Sequence, residues 1–230
     1  MKIYITFALF FVLSMTSTFA QNLDSLVENK NIQNRIDNVA FRILNANQIT
    51  KRVVFVYGEN KKKSLLKLDS LTKRQVVIFG EIYKSIESDD ELAAFIAREI
   101  PMAVRSYDGI GNGWLSSVKI KAAPKKYELL SDKMAVDLMV KAGYNPIGLI
   151  ILINKTCPQY RQDKFSTNNL TSKRLALIYE YIMLNHPYFL VKNPYITNQY
   201  YQNFLLTSVN NRKMLETKIR TKSKENLKYE

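Results

Sequence analysis

Apolar positions along the chain alternate between two periods. Ile32, Ile36, Val39, Ala40, Ile43 and Leu44 recur at helical spacing with Asn, Arg and Asp between them, which predicts a helix over 31–47. Val53 to Tyr57 is a β-branched and aromatic run and reads as a strand, turned by Gly58-Glu59-Asn60; Lys61–Lys63 would sit at an exposed tip and Ser64 to Leu68 would form a return strand. Gln75 to Phe79 is a second clear strand closed by Gly80, and a short helix over 81–86 follows.

Ser88-Asp89-Asp90-Glu91 opens the next helix. Ser88 caps free amides while Glu91 reaches back, and the two aspartates suit the positive end of the helix dipole. Leu92, Phe95, Ile96 and Glu99 share a face, and Pro101 is expected to end or kink the helix. Gly109, Gly111, Gly113 and Trp114 read as a surface loop, since no strand precedes them and no phosphate-binding Lys follows. Further helices are predicted over 126–142, stopped by Gly143, over 146–155 after the Asn145-Pro146 turn, and over 171–185 with Leu175, Ile178, Ile182 and Met183 inward. The pattern is that of one α+β, mainly helical domain over 21–210, followed by a basic tail over 211–230 that is expected to fray.

Lys2, the apolar run Ile3–Leu13 and the small residues ending at Ala20 describe a signal peptide over 1–20, with cleavage after Ala20 and a periplasmic or secreted destination. The apolar run is shorter than the roughly 20 residues that span a bilayer, so the processed chain is not expected to be an integral membrane protein.

Charge and composition narrow the chemistry. The formal net charge is +14. Removing Lys2 leaves 33 basic against 20 acidic residues, or +13. An anionic envelope surface is therefore a candidate partner, whereas the basic runs lack the interleaved aromatics of a nucleic-acid surface. One cysteine, Cys157, excludes a disulfide scaffold and reads as a small buried residue. One histidine, His186, excludes any site that needs two imidazoles from one chain.

Three segments then stand in a telling order. A strand ending in Gly80 leads to Glu91-Leu92-Ala93-Ala94 and on to Arg98-Glu99-Ile100-Pro101-Met102. Glu128-Leu129-Leu130-Ser131-Asp132 continues to Ala142-Gly143-Tyr144-Asn145-Pro146, and Asn168-Asn169 precedes Arg174. In this order the chain resembles peptidase family M forty-eight, the HtpX and CAAX-prenyl-protease-like zinc metallopeptidases, in its exported soluble type. The resemblance implies a gluzincin-like fold with a small β-sheet packed on the active-site helix. It also implies a zinc site built from H-E-x-x-H, E-x-x-x-D and a later H-P-x-x-x-x-R.

Both imidazoles of H-E-x-x-H are replaced, by Arg98 and Met102. The resemblance makes Glu99 the family's general base, Glu128 the third ligand and Asp132 its supporting acid. A guanidinium repels a cation, so the expectation is that the family's zinc is lost and that no cofactor takes its place. An Arg98–Glu128 salt bridge is expected to fill the space, with Glu99 joining it; the alternative is that these are solvated helix charges. The leading functional expectation is a secreted, catalytically inactive metallopeptidase homologue that acts as a binding or scaffolding module for extended polypeptide or another protein. Sheet-edge addition around 75–79 is one route to it. The other two are a zinc-type metalloendopeptidase or hydrolase with an atypical site, and a basic protein bound to the envelope surface.

Overall fold

The computed structural model describes residues 26–58, 75–105, 122–157 and 169–229. The proposed signal peptide, the Lys61–Lys63 tip, the return strand over 64–68 and the three-glycine loop lie outside them. Helix α1 covers residues 26–46. Strands β1 (Val54–Gly58) and β2 (Gln75–Phe79) follow, then α2 (Gly80–Ser85), α3 (Asp89–Arg105), α4 (Pro124–Lys141) and α5 (Ile147–Thr156). The chain continues through α6 (Thr171–Asn185), α7 (Tyr188–Val191), α8 (Gln199–Thr207) and α9 (Val209–Thr221). Among the described residues it is thus mainly helical with one small sheet. β1 and β2 pair in parallel, from Val54 opposite Gln75 to Gly58 opposite Phe79. They are therefore not the two arms of a hairpin, because parallel neighbours need a crossover rather than a tight turn.

Helix α3 is the axis of the domain. Every residue from Glu91 to Ala103 is buried, not one face alone, because α4, α5 and β2 pack around it. The helix also runs through Pro101 to Arg105 instead of ending there. Proline in a helix interior costs about 3 kcal/mol, and the fully buried Ile100, Met102 and Ala103 around it outweigh that penalty. At its start, the Glu91 amide donates to Ser88 Oγ at 3.2 Å, as the cap predicts. Glu91 Oε2 does not close the box on Ser88. It accepts from Lys155 Nζ at 2.9 Å and, more weakly, from the Glu87 amide at 3.4 Å.

The turn from α4 to α5 matches the signals in its sequence. Gly143 takes φ +76°, its amide donates to Val140 O at 3.0 Å, and the Tyr144 amide donates to Met139 O at 2.9 Å. This is the paired-bond helix stop that favours glycine. The Asn145 amide then donates to Asp90 Oδ1 at 2.8 Å and Asn145 Oδ1 accepts from the Ile147 amide at 3.0 Å, which seats the start of α5 against α3. Tyr195 O–H donates to Asp90 Oδ2, so one carboxylate ties three segments.

Much of the segment 211–230, expected to fray, is helical among the described residues. Helix α9 occupies Val209–Thr221 and buries Leu215; Lys218 Nζ pairs with Glu180 Oε1 at 2.8 Å, and Tyr229 O–H donates to Glu180 Oε2 at 2.9 Å. Two anchors on one α6 carboxylate hold a stretch that composition alone marks as solvated.

Gly148 allows α5 to approach α3. A Cβ there would lie 2.7 Å from the Asp90 carbonyl carbon and oxygen, both backbone atoms. Gly148→Ala is therefore expected to destabilise the fold by about 1–3 kcal/mol, the usual range for overpacking, as measured by the urea unfolding midpoint at unchanged m-value.

Candidate functional site: a buried carboxylate and guanidinium cluster

Helices α3, α4 and α6 place the resemblance-derived residues together in the core. Arg98, Glu99 and Met102 come from α3, Glu128 and Asp132 from α4 one turn apart, and Arg174 from α6. Arg98 is 1% exposed and Glu128 6%, and Glu99, Met102, Asp132, Asn169 and Arg174 are buried with them. None is a solvated helix charge.

Asp132 is the hub. Its Oδ1 accepts from Arg98 Nε at 2.7 Å and from Arg174 Nη2 at 2.9 Å, and its Oδ2 accepts from Arg174 Nε at 2.9 Å. Arg174 thus grips Asp132 with a two-pronged fork, while Arg98 approaches from the opposite helix. Glu128 is held differently. Its Oε1 pairs with Arg174 Nη1 at 3.1 Å, and its Oε2 accepts from both the backbone amide and the side-chain amide of Asn169, each at 2.9 Å.

The expected Arg98–Glu128 contact exists only as a loose ion pair, Nη2 to Oε1 at 3.8 Å, too long for a hydrogen bond. Glu99 Oε1 stands 3.9 Å from Arg98 Nη1. Asp132, expected as a supporting acid, takes the close contact because Nε and the inner edge of the guanidinium face it first.

Burial alone would push the Asp132 carboxyl up. The Arg174 and Arg98 guanidiniums outweigh burial and hold it below the usual carboxylate range. Burial likewise opposes the charge on Arg174, but Asp132 and Glu128 more than restore it, and its pKa is raised. Among the described residues, Arg98 Nη1 is buried without a hydrogen-bond partner.

A zinc ion takes about four ligands, with three from the protein in catalytic sites. The residues here do not fit one. Arg98 and Met102, at the positions the resemblance assigns to two imidazoles, offer a guanidinium and a thioether, and both oxygens of Glu128 are engaged by Arg174 and Asn169. Among the described residues no group of three His, Cys, Asp or Glu side chains is arranged to hold a metal. His186 lies apart, with Nε2 3.1 Å from Asp137 Oδ1 at the partly exposed end of α6. Cys157 is partly rather than fully buried, because it caps α5 beside Arg174, whose Nη1 donates to its Sγ at 3.6 Å. Asn168 lies outside the described residues.

No family model, curated protein or solved structure matches this chain. The site therefore has to be read from its own chemistry.

The part played by Asn169 is the one the sequence reading missed, along with the dominance of Asp132 and Arg174 over Glu128. A signal was present. Arg174 shares a helical stripe with Ile178 and Ile182, and Asp132 shares one with Ala135, Val136 and Met139. An ion on an apolar stripe is an ion inside the core, and two such ions on neighbouring helices point to each other.

Removing one partner of a buried pair strands the other, so Asp132→Asn is expected to cost about 3–5 kcal/mol in denaturant unfolding. In double-mutant cycles Arg98 is expected to couple more strongly to Asp132 than to Glu128. The pH dependence has a definite sign. Because the Asp132 pKa is lowered on folding, its contribution is fully present above the unfolded carboxyl value of about 4 and is lost as pH falls through the folded value. The wild-type stability curve should therefore drop more steeply in acid than that of Asp132→Asn.

Proposed function

We propose that the chain is a degenerate relative of the M forty-eight metallopeptidases, with their gluzincin-like arrangement of helices, exported and retained as a non-catalytic binding module for extended polypeptide. One observation carries the loss of catalysis: the two acids that would serve a metal site, Glu128 and Asp132, are saturated by Arg98, Arg174 and Asn169 in a closed core. A hydrolase needs an acid or base that reaches substrate and exchanges a proton near working pH. Asp132 is instead held as an anion between two cations, Arg98 and Arg174. Support for the kinship comes from the convergence of the helix carrying Arg98-Glu99 with the Glu128-x-x-x-Asp132 helix, together with Arg174 from the segment that follows.

Binding needs no metal. Extended chains are recognised through main-chain donors and acceptors, which a domain can offer without any catalytic group. The basic balance favours acidic chains over basic ones at low ionic strength.

The purified protein is expected to hold no stoichiometric zinc and to leave casein uncut, yet to retain reduced, carboxymethylated lactalbumin, an acidic and permanently unfolded chain, in anisotropy titrations. Chelator-sensitive cleavage that disappears in Glu99→Gln would establish the atypical hydrolase instead. Failure to retain the unfolded chain would remove the polypeptide-binding reading while leaving the inactive core untouched.

A further inference from the structure

Helix α1 carries a polar stripe that the core does not use. Asn31, Asn34, Arg35, Asn38 and Arg42 fall within an arc of about 100° at 3.6 residues per turn. They form one wall of a groove of about 440 Å³ whose opposite side is made by Asp89 and Tyr144. The three asparagines are exposed, and their side chains make no hydrogen bond to another described residue.

The two arginines differ. Arg35 is neutralised, with Nε 2.7 Å from Asp89 Oδ1 and Nη1 donating to the Tyr83 hydroxyl at 3.1 Å. Arg42 has no carboxylate partner among the described residues. It is nonetheless fixed in place, since Nε donates to Ala142 O at 2.8 Å and the guanidinium lies 4.6 Å over the Tyr144 ring. Gly143 leaves room for this: a Cβ there would come within 2.8 Å of Arg42 Nη2. The groove therefore offers a row of neutral amides ending in one anchored, uncompensated cation.

We infer that this α1 groove is the seat of the extended acidic polypeptide, an assignment that rests on the binding-module reading above. Each asparagine amide presents a donor and an acceptor side by side, which matches the N–H and C=O of one residue in an extended chain. From Asn31 to Arg42 the helix rises about 16 Å, the length of roughly five residues of extended peptide. Arg42 at the end of the row takes a carboxylate through its two outer nitrogens, from an acidic side chain or a chain terminus. Carbohydrate is the less suitable ligand. Sugar rings seek an open aromatic face, and the Tyr144 ring is covered by Arg42 and buried.

Anisotropy titration of the full chain with reduced, carboxymethylated lactalbumin tests the assignment. Asn34→Ala/Asn38→Ala is expected to weaken binding at least about tenfold at unchanged thermal midpoint, since two bidentate contacts go with no buried group disturbed. Arg42→Gln is expected to weaken binding and flatten its salt dependence. Val77→Lys, on the sheet, serves as the control and is expected to bind as wild type. If wild type binds and the α1 variants bind equally well, the groove is wrong while the module reading stands. If wild type does not bind at all, both fall. Tighter retention of an oligogalacturonate than of the unfolded chain overturns the polypeptide assignment in favour of an acidic saccharide.

Discussion

A single carboxylate, Asp132, sets the terms for the rest of the structure. Burying it is unfavourable by several kcal/mol unless cations accompany it. Two do, from two different helices: Arg98 of α3 and Arg174 of α6. Asp132 therefore fixes how α3, α4 and α6 stand relative to one another, more sharply than apolar packing would, because a guanidinium fork accepts few geometries. Glu128 then balances the second guanidinium, and Asn169 satisfies the oxygen of Glu128 that no arginine reaches. Each group is tolerated in the core only because the others are present, so the cluster behaves as one unit.

The elements were legible because local signals agreed with the fold. Gly143 and the Asn145-Pro146 turn place the end of α4 and the start of α5 within a residue or two, and the helix over 171–185 matches α6 in both bounds. What the sequence could not state was partnership. A local pattern says that Arg98 sits on a helix, but whether it meets Glu128 or Asp132 depends on a fraction of a helical turn and on Arg174, some forty residues beyond Asp132. The parallel pairing of β1 and β2 was illegible for a related reason: strand composition does not encode direction, and the turn residues after Gly58 argue for a hairpin just as they would for a crossover.

Two departures from expectation share a cause: α3 does not end at Pro101, and α9 orders Val209–Thr221. Both expectations rest on propensity, which is a weak prior against tertiary contact. Around Pro101 the neighbours are fully buried, and beyond 211 the contacts of Leu215, Lys218 and Tyr229 supply what composition lacks. In both places the deciding partner lies on another element. A reader of the sequence sees the cost of the irregular residue without seeing what offsets it.

The charge arrangement in the core also bears on what kind of function is physically open to the domain. A catalytic acid or base has to exchange a proton near the working pH, and it must be reachable. A carboxylate locked between two guanidiniums meets neither demand, and loosening it to regain reactivity would forfeit the contacts that hold three helices together. Stability and catalysis thus compete for the same oxygens, and in this chain the arginines give them to stability. Recognition chemistry has no such conflict when it sits on the surface. The Asn31, Asn34 and Asn38 amides of α1 and the anchored Arg42 lie outside the core cluster, so they can be altered without disturbing Asp132, and a ligand can be gained or lost there while the fold stays as it is.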